Sequence, residues 1–154
     1  MSSTHSGLIR VVKCPGDYMS YALADKDFKK DEIISYLDSA SYSERAYTSV
    51  QVDSDKHIEL NCDLVYINHS CEPNVAFVIN GQDKKNWFLK ALVDIKKDTP
   101  LEFFYPSTEW SMDQAFDCHC KKDNCLGFIK GAAFINKENL KNYFVNQHIL
   151  SLIN

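Results

Sequence analysis

Three thiols within eight residues, Cys118-His119-Cys120-Lys121-Lys122-Asp123-Asn124-Cys125, constrain this chain more than any other stretch. Thiols so close in sequence can converge on one ion, and zinc takes four thiolate or imidazole ligands in a tetrahedron. The segment leaves one ligand to be found, from His119, Cys71, Cys62 or Cys14. Gly127 and Gly131 follow closely and let the chain turn tightly around a small site. A closed sphere of four ligands would be structural, whereas a catalytic ion keeps an open position. The competing reading is a set of free or buried cysteines. Disulfides are not expected, because Met1–Gly7 is polar and lacks a basic-then-apolar signal pattern. A chain retained in the nucleus or cytoplasm meets reducing conditions, where clustered cysteines more often bind metal.

A second polar constellation, Asn68-His69-Ser70-Cys71-Glu72-Pro73-Asn74, sits between the apolar runs 64–67 and 75–79. Pro73 fixes one backbone angle and biases Glu72 toward an extended shape. Buried polar groups need partners, so this stretch reads as either a polar ligand site or a satisfied polar turn. A Cys71–His69 hydrolase dyad fits poorly, since catalytic pairs usually come from distant segments.

Around these motifs the chain reads as mainly β with few helices. Short β-branched and aromatic runs at 8–13, 18–23, 32–37, 47–52, 57–60 and 101–105 are split by Gly, Asp, Ser and Lys clusters. Runs 75–79 and 87–93 flank Asn80-Gly81 and predict a hairpin. The spacing of Leu140, Tyr143, Phe144, Ile149 and Ile153 predicts one long helix from Lys137 to about Leu152, capped by Asn136. No internal repeat stands out. Helices do not alternate with strands and no Gly-x-Gly-x-x-Gly follows a strand, which excludes a doubly wound nucleotide-binding sheet. The 154 residues suit one domain. No apolar run nears the roughly 20 residues that span a bilayer, so no membrane role is expected. A net charge of −4 argues against direct nucleic-acid binding and is compatible with a basic substrate.

Asn68–Asn74 resembles the NHSCxPN signature of SET-domain methyltransferases in full. Pro100-Leu101-Glu102-Phe103-Phe104-Tyr105 resembles that family's ELxxDY segment. Cys118–Cys125 is similar to the CxCx4C of its post-SET module, and Leu126-Gly127-Phe128-Ile129 after it is also typical. His57 sits where many members carry a histidine, and 18–25 resembles an early family strand. The order and spacing match from about Leu8 to Gly131. The resemblance implies a SET fold: small β-sheets around a pseudoknot, with the NHSCxPN segment threaded beside the tyrosine segment, then a C-terminal post-SET zinc module and helix. The implied parts are a SET domain over 8–112, a post-SET segment over 113–131 and a helical extension over 132–154.

The implied activity is S-adenosylmethionine-dependent protein-lysine N-methylation, the partner being a protein with a target lysine, histone tails among the candidates. Tyr18, Met19, Asn68, His69 and Tyr105 would contact the cofactor, and Tyr105 would be the catalytic residue. Cys71 would join Cys118, Cys120 and Cys125 around a structural zinc ion. Phe103, Phe104 and Trp110 are candidates for substrate-channel walls, or plain core. The sequence departs from the family where Asp17 and Met19 replace the glycines of an early Gly-x-Gly. It departs again at Pro100 and Phe104, which replace the Glu and Asp of ELxxDY, and at Val65, which replaces a frequent Arg. The absent glycines and Phe104 speak for the alternative reading, a catalytically diverged SET-fold binding module for a protein partner, and the retained NHSCEPN and Tyr105 speak against it.

Overall fold

The computed structural model describes residues 3–16 and 19–153, so Asp17 and Tyr18 lie outside the described residues. In chain order the strands are β1 (Ile9–Val12), β2 (Tyr21–Ala24), β3 (Ile33–Tyr36), β4 (Ser41–Ser43), β5 (Val50–Gln51), β6 (His57–Glu59), β7 (Asn68–His69), β8 (Val75–Ile79), β9 (Trp87–Ala91), β10 (Glu102–Phe103), β11 (Phe116–Asp117) and β12 (Phe128–Ile129). They form five small sheets: β1-β2, β3-β9-β8, β4-β6-β5, β11-β12 and the pair β7-β10. Every pairing is antiparallel except β7-β10, which is parallel. The two segments expected to lie beside one another therefore do so, with Asn68 opposite Glu102 and His69 opposite Phe103.

The sheets follow from side-chain alternation. In β9, Trp87, Leu89 and Ala91 are buried while Phe88 and Lys90 are half-exposed, the period of two that a one-sided strand requires. The expected β8-β9 hairpin forms, with Gly81 at φ +67 in its connection and Trp87 Nε1 donating to the Gly81 carbonyl at 2.9 Å. β8 is buried at all five positions. Phe77, Trp87, Ile58, Leu64, Leu89 and Leu101 anchor the main core, each such side chain contributing about 1.5–3 kcal/mol by burial. A second, smaller core gathers Phe104, Ala132, Leu140, Val145 and Ile149.

Two sequence expectations need correction. The long C-terminal helix is instead two single turns, α1 (Lys137–Leu140) and α2 (Gln147–Leu150). Asn136 does cap α1, accepting from the Asn139 amide at 2.8 Å. The helix breaks because Tyr143 and Asn146 are drawn into tertiary hydrogen bonds that a continuous helix could not serve. Asn146, 2 % exposed, works as a surrogate strand: its Oδ1 accepts from the Ile79 amide and its Nδ2 donates to the Phe77 carbonyl, both at 2.8 Å. It thereby closes the free edge of β8.

A short internal repeat also exists. Asp27-Phe28-Lys29-Lys30-Asp31 and Asp94-Ile95-Lys96-Lys97-Asp98 face each other across an antiparallel bridge. Phe28 and Ile95 exchange backbone bonds of 2.8 Å. The Lys30 amide donates to Asp94, and the Lys97 amide donates to Asp27, each at 2.8 Å. Asp31 and Asp98 share φ 71, so the two turns are near copies. Five residues recurring once at long range leave no period for a sequence scan to detect.

Candidate active site and metal centre

The thiol centre is built by the β11-β12 hairpin. Its closing bond, Cys118 amide to Gly127 carbonyl at 2.7 Å, requires the left-handed turn that Gly127 takes at φ +80. Within the loop, Lys121 sits at φ 61, and the Cys125 amide donates to the Lys122 carbonyl. This folds the loop back so that Cys118, Cys120 and Cys125 converge.

Of the four sequence candidates for a further ligand, the structure brings Cys71 to this group; His119, Cys62 and Cys14 are not in it. The four sulfurs lie within 4.8 Å of one another, and Cys71 Sγ stands 3.8 Å from Cys118 Sγ. Zn–S bonds of about 2.3 Å at tetrahedral angles place sulfurs about 3.8 Å apart, so the donor set fits zinc.

Without an ion, burial opposes deprotonation of most of these thiols. Burial pushes the Cys71 thiol up to about 11, and burial likewise raises Cys118. For Cys120, burial acts upward, but hydrogen bonds from the Cys71 and Lys122 segments and from neighbouring thiols bring it to about 7. Crowded thiols resist becoming four anions, and a bound cation is what favours deprotonation.

One loop joins this centre to the second constellation. The His69 ring is buried, which drops it to about 4 and leaves it neutral at pH 7. Its Nδ1 accepts the Tyr105 backbone N–H at 3.1 Å. The proton therefore belongs on Nε2, which faces Cys71 Sγ at 3.5 Å. The Leu126 amide donates to the same sulfur at 3.3 Å. Ser70 donates its amide to the Phe103 carbonyl, and Asn74 both donates to the Glu102 carbonyl and accepts the Glu102 amide. Asn68 Nδ2 donates to the Ser20 carbonyl at 3.0 Å, tying β7 to the residue just before β2. Met19, next to Ser20, is 58 % exposed.

Tyr105 stands in an aromatic cluster. Its ring lies 5.1 Å from His69, 4.7 Å from Phe103 and 5.7 Å from Phe116. Burial raises its phenol well above the ordinary value, with Glu109 and Glu102 adding to the effect, so the hydroxyl keeps its proton. Phe103 also meets Phe77 edge-on at 4.7 Å in the main core. The other two channel candidates point elsewhere. Phe104 is 2 % exposed and stacks on Tyr143 at 3.7 Å and 4° in the second core, and Trp110 packs against that same core. Strand side chains alternate, so Phe103, Phe104 and Tyr105 cannot share one face.

Sequence reasoning missed Phe116, Glu109, Asn124 and Tyr143. Phe116 had a signal, since it lies two residues before the thiol run. Glu109 is buried, which lifts its carboxyl to about 7 against the downward pull of the Gln51 amide, the Thr108 hydroxyl and Arg45. Its Oε2 accepts those two donors at 2.9 and 2.6 Å. Asn124 Nδ2 and the Tyr143 hydroxyl both donate to the Cys71 carbonyl, at 2.9 and 2.6 Å.

A family model described as SET domain matches residues 11–106. A protein named Methyltransferase flvH, from Aspergillus flavus, is 34% identical over 157 residues, which is 97% of this chain and 83% of that protein. The H3 lysine-4 specific histone-lysine N-methyltransferase of Aspergillus oryzae is 38% identical over 66 residues, which is 42% of this chain and 5% of that protein. Among solved structures, KRYPTONITE in complex with mCHG DNA and SAH superposes with a TM-score of 0.56 at 18% identity, covering 78% of this chain and 28% of that one. A second KRYPTONITE structure, with mCHH DNA, an H3(1-15) peptide and SAH, gives 0.55 at 16%. At these identities the structural likeness is one of fold.

Proposed function

Because this chain belongs to the SET-domain methyltransferase family, we propose that it is an S-adenosylmethionine-dependent protein-lysine N-methyltransferase. The observation that carries the reading is the junction of His69, Cys71 and Tyr105, in which the NHSCEPN loop, the tyrosine segment and the thiol hairpin meet within hydrogen-bond reach. The H3 lysine-4 specific relative matches 42% of this chain, and the relative that spans 97% of it carries only the name methyltransferase. A protein lysine as acceptor is therefore the proposal, with histones one pool to test.

The cofactor would supply an electrophilic methyl group on a sulfonium. The residues of this chain supply binding and alignment. Asn68, His69 and Ser20 border one side of the site, with Asn68 already bonded to the Ser20 carbonyl. Tyr105 keeps its phenol protonated and can orient the incoming amine through its oxygen. A free lysine amine has a pKa of about 10.4 and must be neutral to attack. Desolvation of the amine among His69, Phe103 and Phe116 would disfavour the ammonium form and so lower that value. Holding amine and methyl in line contributes several kcal/mol of the barrier reduction. Cys71, Cys118, Cys120 and Cys125 would hold one zinc ion with no open position, a structural role that fixes the hairpin against the site.

The test uses zinc-loaded protein, labelled S-adenosylmethionine, and separate pools of histones and total cell protein. Label recovered in lysine, and reduced roughly 100-fold by Tyr105→Phe, is the expected result. Cofactor binding without label in either pool favours the binding-module alternative. Absence of cofactor binding refutes the methyltransferase reading.

A further inference from the structure

We propose that Tyr143 is the positioning residue of this site: its hydroxyl sets the Cys71 loop and its ring sets the Phe104–Tyr105 segment. The inference rests on the enzymatic reading above for its kinetic part only. Tyr143 lies outside the matched family segment, between α1 and α2. It nevertheless touches both segments that meet at the site.

The hydroxyl half acts on the metal centre. Tyr143 Oη donates to the Cys71 carbonyl at 2.6 Å, and Asn124 Nδ2 donates to the same oxygen at 2.9 Å. Asn124 belongs to the thiol loop itself, and its amide lies 3.4 Å from Tyr143 Oη. The Cys71 peptide is thus held from two sides by the C-terminal extension and the hairpin. That peptide's orientation aims Cys71 Sγ at the other three sulfurs.

The ring half acts on the tyrosine segment. Tyr143 and Phe104 stack at 3.7 Å with planes 4° apart, which fixes the side chain one residue before Tyr105. Phe104 also precedes the 3-10 turn Tyr105–Ser107, and its carbonyl accepts the Ser107 amide at 2.9 Å. The direction in which Tyr105 leaves the backbone therefore depends on where Phe104 is held. Displacement by a fraction of an ångström is enough to lose much of the benefit of alignment.

The two halves separate by mutation in the full zinc-loaded chain. Tyr143→Phe removes only the hydroxyl, and Asn124 still serves the Cys71 carbonyl, so the fold is kept. Expected are zinc transfer to a chromophoric chelator faster by roughly tenfold, a higher cofactor KM, and kcat within about twofold of wild type. Tyr143→Leu also removes the stack. It should lower kcat by roughly 10- to 100-fold and speed exchange of the Tyr105 amide by about tenfold, with β8 and β9 amides unchanged. Phe at 143 should restore both kcat and Tyr105 protection relative to Leu.

Unaltered zinc transfer and cofactor KM in Tyr143→Phe, or wild-type Tyr105 exchange in Tyr143→Leu, would overturn the assignment. So would variants whose sole change is a lower thermal midpoint. Zinc transfer and amide exchange need no turnover. A wild-type protein that methylates nothing would therefore refute the enzymatic reading, while these two measurements still decide the role of Tyr143.

Discussion

Asn146→Ala removes the side chain that closes β8. The Ile79 amide and the Phe77 carbonyl both lose their 2.8 Å partner. The Ser107 carbonyl loses one of two donors but keeps the Asn146 backbone amide at 3.0 Å. Ile79 and Phe77 are 4% and 0% exposed, so water does not readily replace Asn146. Two orphaned buried backbone groups at about 1–3 kcal/mol each give a loss near 4 kcal/mol. For a chain of this length that lowers the thermal midpoint by about 10 °C. Asn146→Asp keeps the acceptor for Ile79 but turns an anion toward the Phe77 carbonyl, and should be no better than alanine. Urea unfolding at fixed zinc, with amide exchange read at Ile79, measures both variants. A loss under 1 kcal/mol for Asn146→Ala, or unchanged protection at Ile79, would show that the edge is satisfied by some other group.

Two opposed titrations should shape the pH dependence of stability. His69 is depressed from 6.5 to about 4, so its contribution is complete above pH 6.5 and is lost as pH falls toward 4, about 3 kcal/mol in all. Glu109 is raised from 4.5 to about 7, so stability falls as pH rises from 4.5 to 7, and the two slopes offset one another. Glu109→Gln should unmask the His69 limb, giving a chemical-denaturation midpoint that rises between pH 4.5 and 6.5; a flat profile in that variant would contradict the His69 assignment. Removing zinc by chelation should expose 116–129 to proteolysis, and Cys71→Ser should lower metal content as far as Cys125→Ser does, read by elemental analysis. Gly131→Ala should destabilise by about 2 kcal/mol or more, because a Cβ there would stand 2.5 Å from the Trp110 carbonyl at φ +123; a thermal midpoint equal to wild type would refute that close approach.

The sequence by itself determined the elements whose causes are local. Alternation in 87–91 reads as a one-sided strand, Asn80-Gly81 as a turn, Asn136 as a cap, and three close cysteines as metal ligands in want of a fourth. It also carried the family resemblance, because NHSCEPN and the thiol run are contiguous motifs. Where the partner lies far along the chain, only the tertiary structure decided. Periodicity favoured a long helix through 137–152, but Tyr143 and Asn146 meet Cys71 and β8 some 70 residues earlier, and those bonds outweigh a few helical turns of marginal intrinsic stability. Phe103, Phe104 and Tyr105 look equivalent in sequence; the pleat sends Phe104 into a second core whose other members lie beyond residue 130. Residue spacing cannot encode such choices, because they depend on which distant group is left needing a hydrogen bond or an apolar neighbour once the sheets have closed.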